Sequence, residues 1–309
     1  MAITIDSISS ITKRYFFPSL VDEVTTSMAL LMKMKEGGRM VSIDGGTQIY
    51  QPVDYARNTS VMNYSGDETL DVAYNEKRTA LVFDWKQKSG AITLTGLDTI
   101  KNAGAAKVID HLTAETNCAK RDIKDSFATG LYSAGTDAKE ITGAQVFVAT
   151  SSSYGGLSQS TESWLQAKVD STTPALSLGK MQERWEACKE DNDKISLVTT
   201  TETLYNSFWS LLQPQQRFSD NSTAKAGFEN LMFNSAPVLE DSYCPSSSMY
   251  FWNLKHLKLV SSKQRPFPGS LQPFVKPTNQ DAKTALILWA GELVCEEPRK
   301  FGVMSALTS

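Results

Sequence analysis

The sequence predicts an α+β protein, and three observations carry that reading. Residues 97–131 form the one long, strongly periodic helical segment in a strand- and loop-rich chain. Runs of alternating apolar residues bounded by Gly and Ser stand before that segment. After it comes a helix–strand–helix pattern followed by several short strands, a second α+β region.

Taken in order, residues 1–38 open with an aromatic knot, Tyr15, Phe16 and Phe17, and continue into a helical stripe of Leu20, Val21, Val24, Met28 and Leu31 that Gly37 and Gly38 end. So short an amphipathic segment cannot make its own core and must pack on another part of the subunit or on a neighbour. Residues 39–94 read as a long two-stranded arm, with strands at 47–55 and 79–85. Gly45 and Gly46 turn into the arm, and Ser89 and Gly90 leave it. Its middle, with Tyr64, Asp67, Glu68, Tyr74, Glu76, Lys77 and Arg78, is charged and aromatic without a core face. A two-stranded hairpin is marginal alone in water, so the arm needs a surface to lie on, its own domain's or another molecule's.

The segment 97–131 reads as one spine helix. Leu97, Ile100, Gly104, Val108, Leu112, Ala119, Ile123, Phe127 and Leu131 mark one face, Thr95 with Asp98 resembles a shortened capping box, and Gly130 with Gly135 offers a stop. At about 1.5 Å per residue the rod would run roughly 50 Å. The Ser- and Gly-rich stretch 151–163 reads as a surface loop. Leu178, Met181, Trp185 and Cys188 give a second helix, 194–199 a strand, and Leu204, Phe208, Leu211 and Leu212 a third helix ending before Pro214. Strands are expected at 231–233, 237–239, 249–252 and 257–260. A Pro-rich passage, 265–277, then leads to a last strand at 284–295.

Composition narrows the function classes. With 309 residues and 41% hydrophobic content the chain can bury a sizeable core. A net charge of -3 with both signs mixed argues against a dedicated nucleic-acid binder. Cys118, Cys188, Cys244 and Cys295 lie far apart with no CxxC pair, so neither a zinc site nor a disulfide framework is indicated and a reducing compartment fits. The start of the chain lacks the basic-then-apolar order of a secretion signal, and no apolar run approaches the roughly 20 residues that span a bilayer.

No catalytic constellation stands out. His111 and His256 have no companion nucleophile at a recognisable spacing, and Gly156 to Ser160 begins like a nucleophile elbow but lacks the closing Gly. Phosphate-loop patterns are missing. Asp191, Asn192 and Asp193 suit a solvated turn better than a cation loop, and the pairs Glu240–Asp241 and Glu296–Glu297 suit a solvent face or an interface with Lys and Arg.

The order of the pieces resembles the major capsid proteins of tailed bacteriophages, whose fold is named after the phage Hong Kong 97. Residues 11–21 (I-T-K-R-Y-F-F-P-S-L-V) look like that family's N-arm, and Gly45, Gly46, Thr47, Gln48 and Ile49 like the start of its extended loop. Residues 129–136 with 141–143 are similar to its exit from the spine helix. The run G-F-E-N-L-M-F-N-S-A-P-V-L-E-D at 227–241, then Pro245 and M-Y-F-W-N-L at 249–254, is similar to its strand, Pro-Val strand, acid and Tyr strand ending in Asn. Residues 293–302 look like the strand returning to its peripheral domain. Ser235 and Ser247 depart from it, standing where Gly is common, and only Gly visits positive φ without cost.

The resemblance implies an N-arm (1–38), an extended loop (39–94), a peripheral domain with the spine helix (95–149 and 263–309) and an axial domain (150–262). It implies no enzyme and no cofactor. The subunit would assemble with itself into hexamers and pentamers of an icosahedral head around double-stranded DNA, made in a bacterial cytoplasm and located in the virion. A portal and separate scaffolding or decoration proteins would be its partners, DNA contact would be non-specific, and no membrane is involved. Because the N-arm-like residues begin within the first dozen positions, a fused scaffolding segment is not expected. The assembly contacts are expected at Tyr15, Phe16, Phe17, Tyr64, Asp67, Glu68, Tyr74, Lys77 and Arg78. An encapsulin-like compartment shell is the alternative within the fold, and a soluble hydrolase with an unrecognised site the alternative outside it.

Overall fold

The computed structural model describes residues 28–97, 105–172, 175–190, 193–212 and 231–308, with the backbone alone for residue 29 and residues 105–112. The aromatic knot Tyr15, Phe16 and Phe17 lies outside the described residues.

Helix α1 (Ala29–Glu36) buries Leu30, Leu31 and Met34 and stops at Gly37, with Gly38 in the left-handed region at φ 65°. Strand β1 (Met40–Ile43) leads to the hairpin of β2 (Ile49–Asp54) and β3 (Arg78–Phe83), then to β4 (Lys86–Thr95). The spine, α2 (Ala105–Leu131), has 27 described residues, about 40 Å at 1.5 Å per residue. Its stripe Ala119, Ile123, Phe127 and Leu131 is buried as its four-residue spacing predicts, whereas Leu97, expected on that stripe, is exposed. Residues 98–104, with the start expected for the rod, lie outside the described residues.

The apolar run at 146–149 contributes to a single turn, α3 (Ala144–Phe147). The stretch expected to be a surface loop instead contains a tight hairpin, β5 (Ser153–Tyr154) and β6 (Leu157–Ser158). Tyr154 and Gln159 are buried there because the Tyr hydroxyl accepts from Cys295 N–H and the Gln amide donates to the Phe147 and Leu165 carbonyls. Then follow β7 (Lys168–Asp170), α4 (Leu178–Cys188), β8 (Leu197–Thr200), α5 (Glu202–Leu212), β9 (Leu231–Phe233), β10 (Ala236–Glu240), β11 (Met249–Trp252), β12 (Leu257–Ser262), β13 (Ser270–Leu271), β14 (Ala282–Cys295) and β15 (Gly302–Met304). In α4 the buried side chains are Met181, Trp185 and Cys188, the spacing the sequence set out.

Two larger sheets organise these strands. In the body sheet β14 lies at the centre: β12 pairs with one end of it, β13 with its middle, β4 along ten residues, and β1 adds to β12 in parallel. The spine packs across β4, where Gly90 leaves room for Ile123: a Cβ on Gly90 would sit 2.7 Å from the Ile123 Cδ1. The second sheet runs β7-β15-β11-β8-β10-β9, with α4 and α5 packed on it.

The strand pairing cuts across the expected segments. Residues 40–43 and 86–95, expected inside the extended loop, are strands of the body sheet, so the arm proper is narrower than 39–94. Strand β12, expected in the axial part, belongs to the body sheet, and β15, expected in the peripheral part, belongs to the second sheet between β7 and β11. An alternating strand pattern shows that one face is buried and says nothing about which sheet covers it.

Candidate assembly interface

The arm begins as an ordinary hairpin. Ile49 faces Phe83 and Asp54 faces Arg78 across an antiparallel ladder, with Ile49, Val53, Leu81 and Phe83 turned inward and Tyr50 outward. Its root is pinned to the body. The Val82 N–H donates to the Gly155 carbonyl at 3.0 Å, the Trp85 indole N–H donates to the Gly46 carbonyl at 2.8 Å, and Tyr55 stacks on Trp164 at 5.6 Å. Gly155 sits at φ 57°, and a Cβ there would meet Leu81 at 2.7 Å, so this close approach requires glycine.

Beyond the Asp54–Arg78 end of the ladder the character changes. Every residue from 61 to 74 is exposed, including Val61 (81%), Tyr64 (65%), Leu70 (49%), Val72 (90%) and Tyr74 (92%). These apolar side chains, with charged ones among them, have no cover from the other described residues, which makes the stretch a candidate contact surface.

Of the residues singled out in the sequence, Tyr64 and Tyr74 are among these exposed aromatics. Asp67 and Glu68 are also exposed, Glu68 accepting from Ser65 N–H at 3.2 Å. Lys77 is half-buried at the neck of the arm, where its carbonyl accepts from Tyr55 N–H. Arg78 pairs with Asp54 at 2.7 Å within the same arm, both side chains largely in water, where such a pair contributes little. Val61, Met62, Leu70 and Val72, exposed beside them, were not singled out in the sequence. Their signal, aliphatic side chains interspersed in a polar stretch with no period, was readable only as the lack of a core face.

Behind the arm root lies a cleft of about 420 Å³ walled by β3, the start of β4, the loop after the spine, the β5 turn and β14. Glu292 of β14 is buried there. Its Oε1 accepts from the backbone N–H groups of Thr142 at 2.7 Å and Leu293 at 2.9 Å, and its Oε2 from the Thr142 hydroxyl. Burial pushes its carboxyl up to about 7, against those hydrogen bonds and the charge of Lys86. Lys86 Nζ donates to the Ala138 carbonyl, and Lys88 Nζ donates to the Ser126 carbonyl and hydroxyl while lying over the Phe127 ring. Burial lowers the Lys88 ammonium, opposed by Glu140.

At the far end of the spine a hydrogen-bond chain ties helix to second sheet. Tyr132 bridges Asp241, at 2.9 Å, and Thr199, at 3.0 Å, and the Trp252 indole N–H donates to the Thr199 hydroxyl. Of the catalytic candidates weighed in the sequence, His256 lies in an ion cluster with Asp193 and Lys300, and Ser158 hydrogen-bonds Ser160, while the His111 side chain, Asp191 and Asn192 lie outside the described residues. Among the described residues no group of three or more His, Cys, Asp or Glu could hold a metal ion, and no helix is long and apolar enough to cross a membrane.

The sequence matches no protein-family profile and no curated protein. Solved structures do match. The capsid asymmetric unit of cyanophage A-1(L) superposes with a TM-score of 0.61 at 15% identity, over 88% of this chain and 91% of that one. The capsid of an empty GTA particle gives 0.58 at 10% identity, over 88% and 89%. The SrpI encapsulin of Synechococcus elongatus PCC 7942 gives 0.55 at 8% identity, over 89% and 87%. Likeness over nearly the full length of each chain, together with the spine helix, the two sheets and the projecting arm, establishes that this protein has the Hong Kong 97-type fold of tailed-phage capsid proteins.

Proposed function

We propose that the protein is a major capsid protein that self-assembles into the icosahedral head of a tailed bacteriophage around double-stranded DNA. Its role is structural rather than catalytic. The observation that supports this reading most is the arm: a capsid-type fold whose described residues leave aliphatic and aromatic side chains exposed over residues 61–74, as a surface met by a neighbouring subunit would be. In this reading residues 44–85 lie across the neighbouring subunit, residues 1–38 reach around another, and the second sheet gathers at the capsomer centre. Modest contacts repeated in every copy add up by multivalency, so none has to be strong alone. The subunit is made in the bacterial cytoplasm and ends in the virion. A portal and separate scaffolding proteins are the partners this role requires, and packaged DNA is touched without sequence preference.

The test is electron microscopy of the purified protein beside a Val72→Asp, Tyr74→Asp double variant. Both side chains are about nine-tenths exposed, so subunit stability should change by about half a kcal/mol or less. The wild type should form closed shells and the variant soluble subunits with an unchanged melting transition. Shells in normal yield from the variant would remove the arm tip from the interface, and a wild type that stays monomeric under all assembly conditions would remove the capsid reading.

A further inference from the structure

The chain passes between the two sheets twice in its C-terminal third, and both crossings meet at one cluster of charges. The first crossing, residues 253–256, carries β11 of the second sheet into β12 of the body sheet; the second, residues 296–301, carries β14 of the body sheet back into β15. Their backbones are joined by the Glu296 N–H, which donates to the His256 carbonyl at 2.8 Å. Asp193, from the loop that enters β8, reaches in from the second sheet's side. One of its carboxylate oxygens takes Lys255 Nζ at 2.6 Å, and the other takes Lys300 Nζ at 2.7 Å and His256 Nε2 at 3.0 Å. Lys300 also pairs with Glu297 at 2.9 Å, while His256 Nδ1 faces Glu297 and Glu296 at 3.8 and 3.9 Å. Lys300 and His256 are buried, and Asp193 is mostly so.

Replacing such a cluster by well-packed apolar side chains is often neutral or stabilising, so net stability is a weak reason for three acids and their cations to converge here. What charged, directional contacts supply at a crossing is geometry: each pair holds only at one separation and angle of the segments that carry it. The cluster also has a second neighbour. Asp193, Arg299 and Lys300 form one wall of a cleft of about 440 Å³ whose other wall is the arm root, Asp54 to Arg57.

We propose that the Asp193-centred cluster is a conformational clasp that fixes the angle between the two sheets and, through the cleft it shares with the arm root, ties that angle to the position of the arm. A neighbour that moved the arm would press on the clasp, and a loosened clasp would free the arm root. The carboxyl of Asp193 is held well below the usual carboxylate range by Lys255, then Lys300, then His256, which keeps the clasp ionised. The clasp belongs to the single subunit, so it stands or falls apart from the shell reading.

The experiment is amide hydrogen exchange on unassembled subunits of Asp193→Asn and, should that variant fail to fold, Lys300→Met, which keeps the apolar stem. The amides of His256, Glu296, Lys300 and Phe301 should exchange faster by about tenfold or more, the factor that about 1.4 kcal/mol of local opening gives. Those of Tyr250 and Leu293, inside the two sheets, should keep their protection, and the Tyr55 amide at the arm root should rise with the clasp. A uniform rise across both sheets would make the cluster an ordinary stability element, and unchanged exchange at the crossings would leave it without a role. An unchanged Tyr55 would overturn the coupling to the arm.

Discussion

Glu292 gives the fold a specific response to pH. Its side chain is fully buried on the central strand of the body sheet, and its carboxyl is raised from 4.5 to about 7, chiefly by burial. Between those values the unfolded chain has lost the proton while the native state keeps it, so the native state binds more protons and its stability falls as pH rises. The contribution is complete below about pH 4.5 and gone above about 7. At about 1.4 kcal/mol for each pH unit between the two values, it amounts to roughly 3 kcal/mol. Glu292→Gln isolates it. The Gln carbonyl can still accept from the Thr142 and Leu293 N–H groups, which Glu292 Oε1 does now, and its amide can donate to the Thr142 hydroxyl. Urea unfolding of unassembled subunits from pH 5 to pH 8 should find the variant near wild type at the acid end and more stable by roughly 3 kcal/mol at the alkaline end. Curves that run parallel over that range, whatever their offset, would refute the argument, because a constant difference carries no proton.

Two further substitutions test the backbone and the packing. Ser247 sits at φ 56° and Ser235 at φ 75°, conformations that cost a side-chain-bearing residue about 1–2 kcal/mol, partly offset by the extra chain entropy of glycine. Ser247→Gly should therefore raise stability by roughly 0.5–1 kcal/mol in urea titrations, and a loss would mean that the hydroxyl outweighs the strain. Gly291→Ala should do the reverse. Its Cβ would stand 2.1 Å from the Val260 carbonyl oxygen and 2.5 Å from the Trp289 ring, at the centre of the body sheet. Overpacking there should cost about 1–3 kcal/mol or more, read as a lowered melting temperature or loss of soluble subunit.

The sequence by itself determined the elements whose signal is local. A four-residue stripe placed Ala119 to Leu131 and Met181 to Cys188 on buried helix faces, because residues one turn apart share a face wherever the helix goes. The strands at 231–233 and 249–252 and the ends of the arm hairpin were legible from apolar runs between turns. The departures at Ser235 and Ser247 pointed to two of the turns that hold positive φ, since backbone sterics act within one residue. Tertiary structure alone decided sheet membership. Strands β4 and β12 sit beside β14, and β15 lies between β7 and β11, because hydrogen-bond partners are chosen across long stretches of chain that leave no trace in a strand's own pattern. Burial of charge was equally hidden. Nothing local in the sequence marks Glu292 or Lys300 for burial, and only the packing of β14 against the spine exit, and of the two crossings against Asp193, took them out of water. The exposure of Val72 and Tyr74 was likewise decided by the fold, in which no other described segment covers residues 61–74.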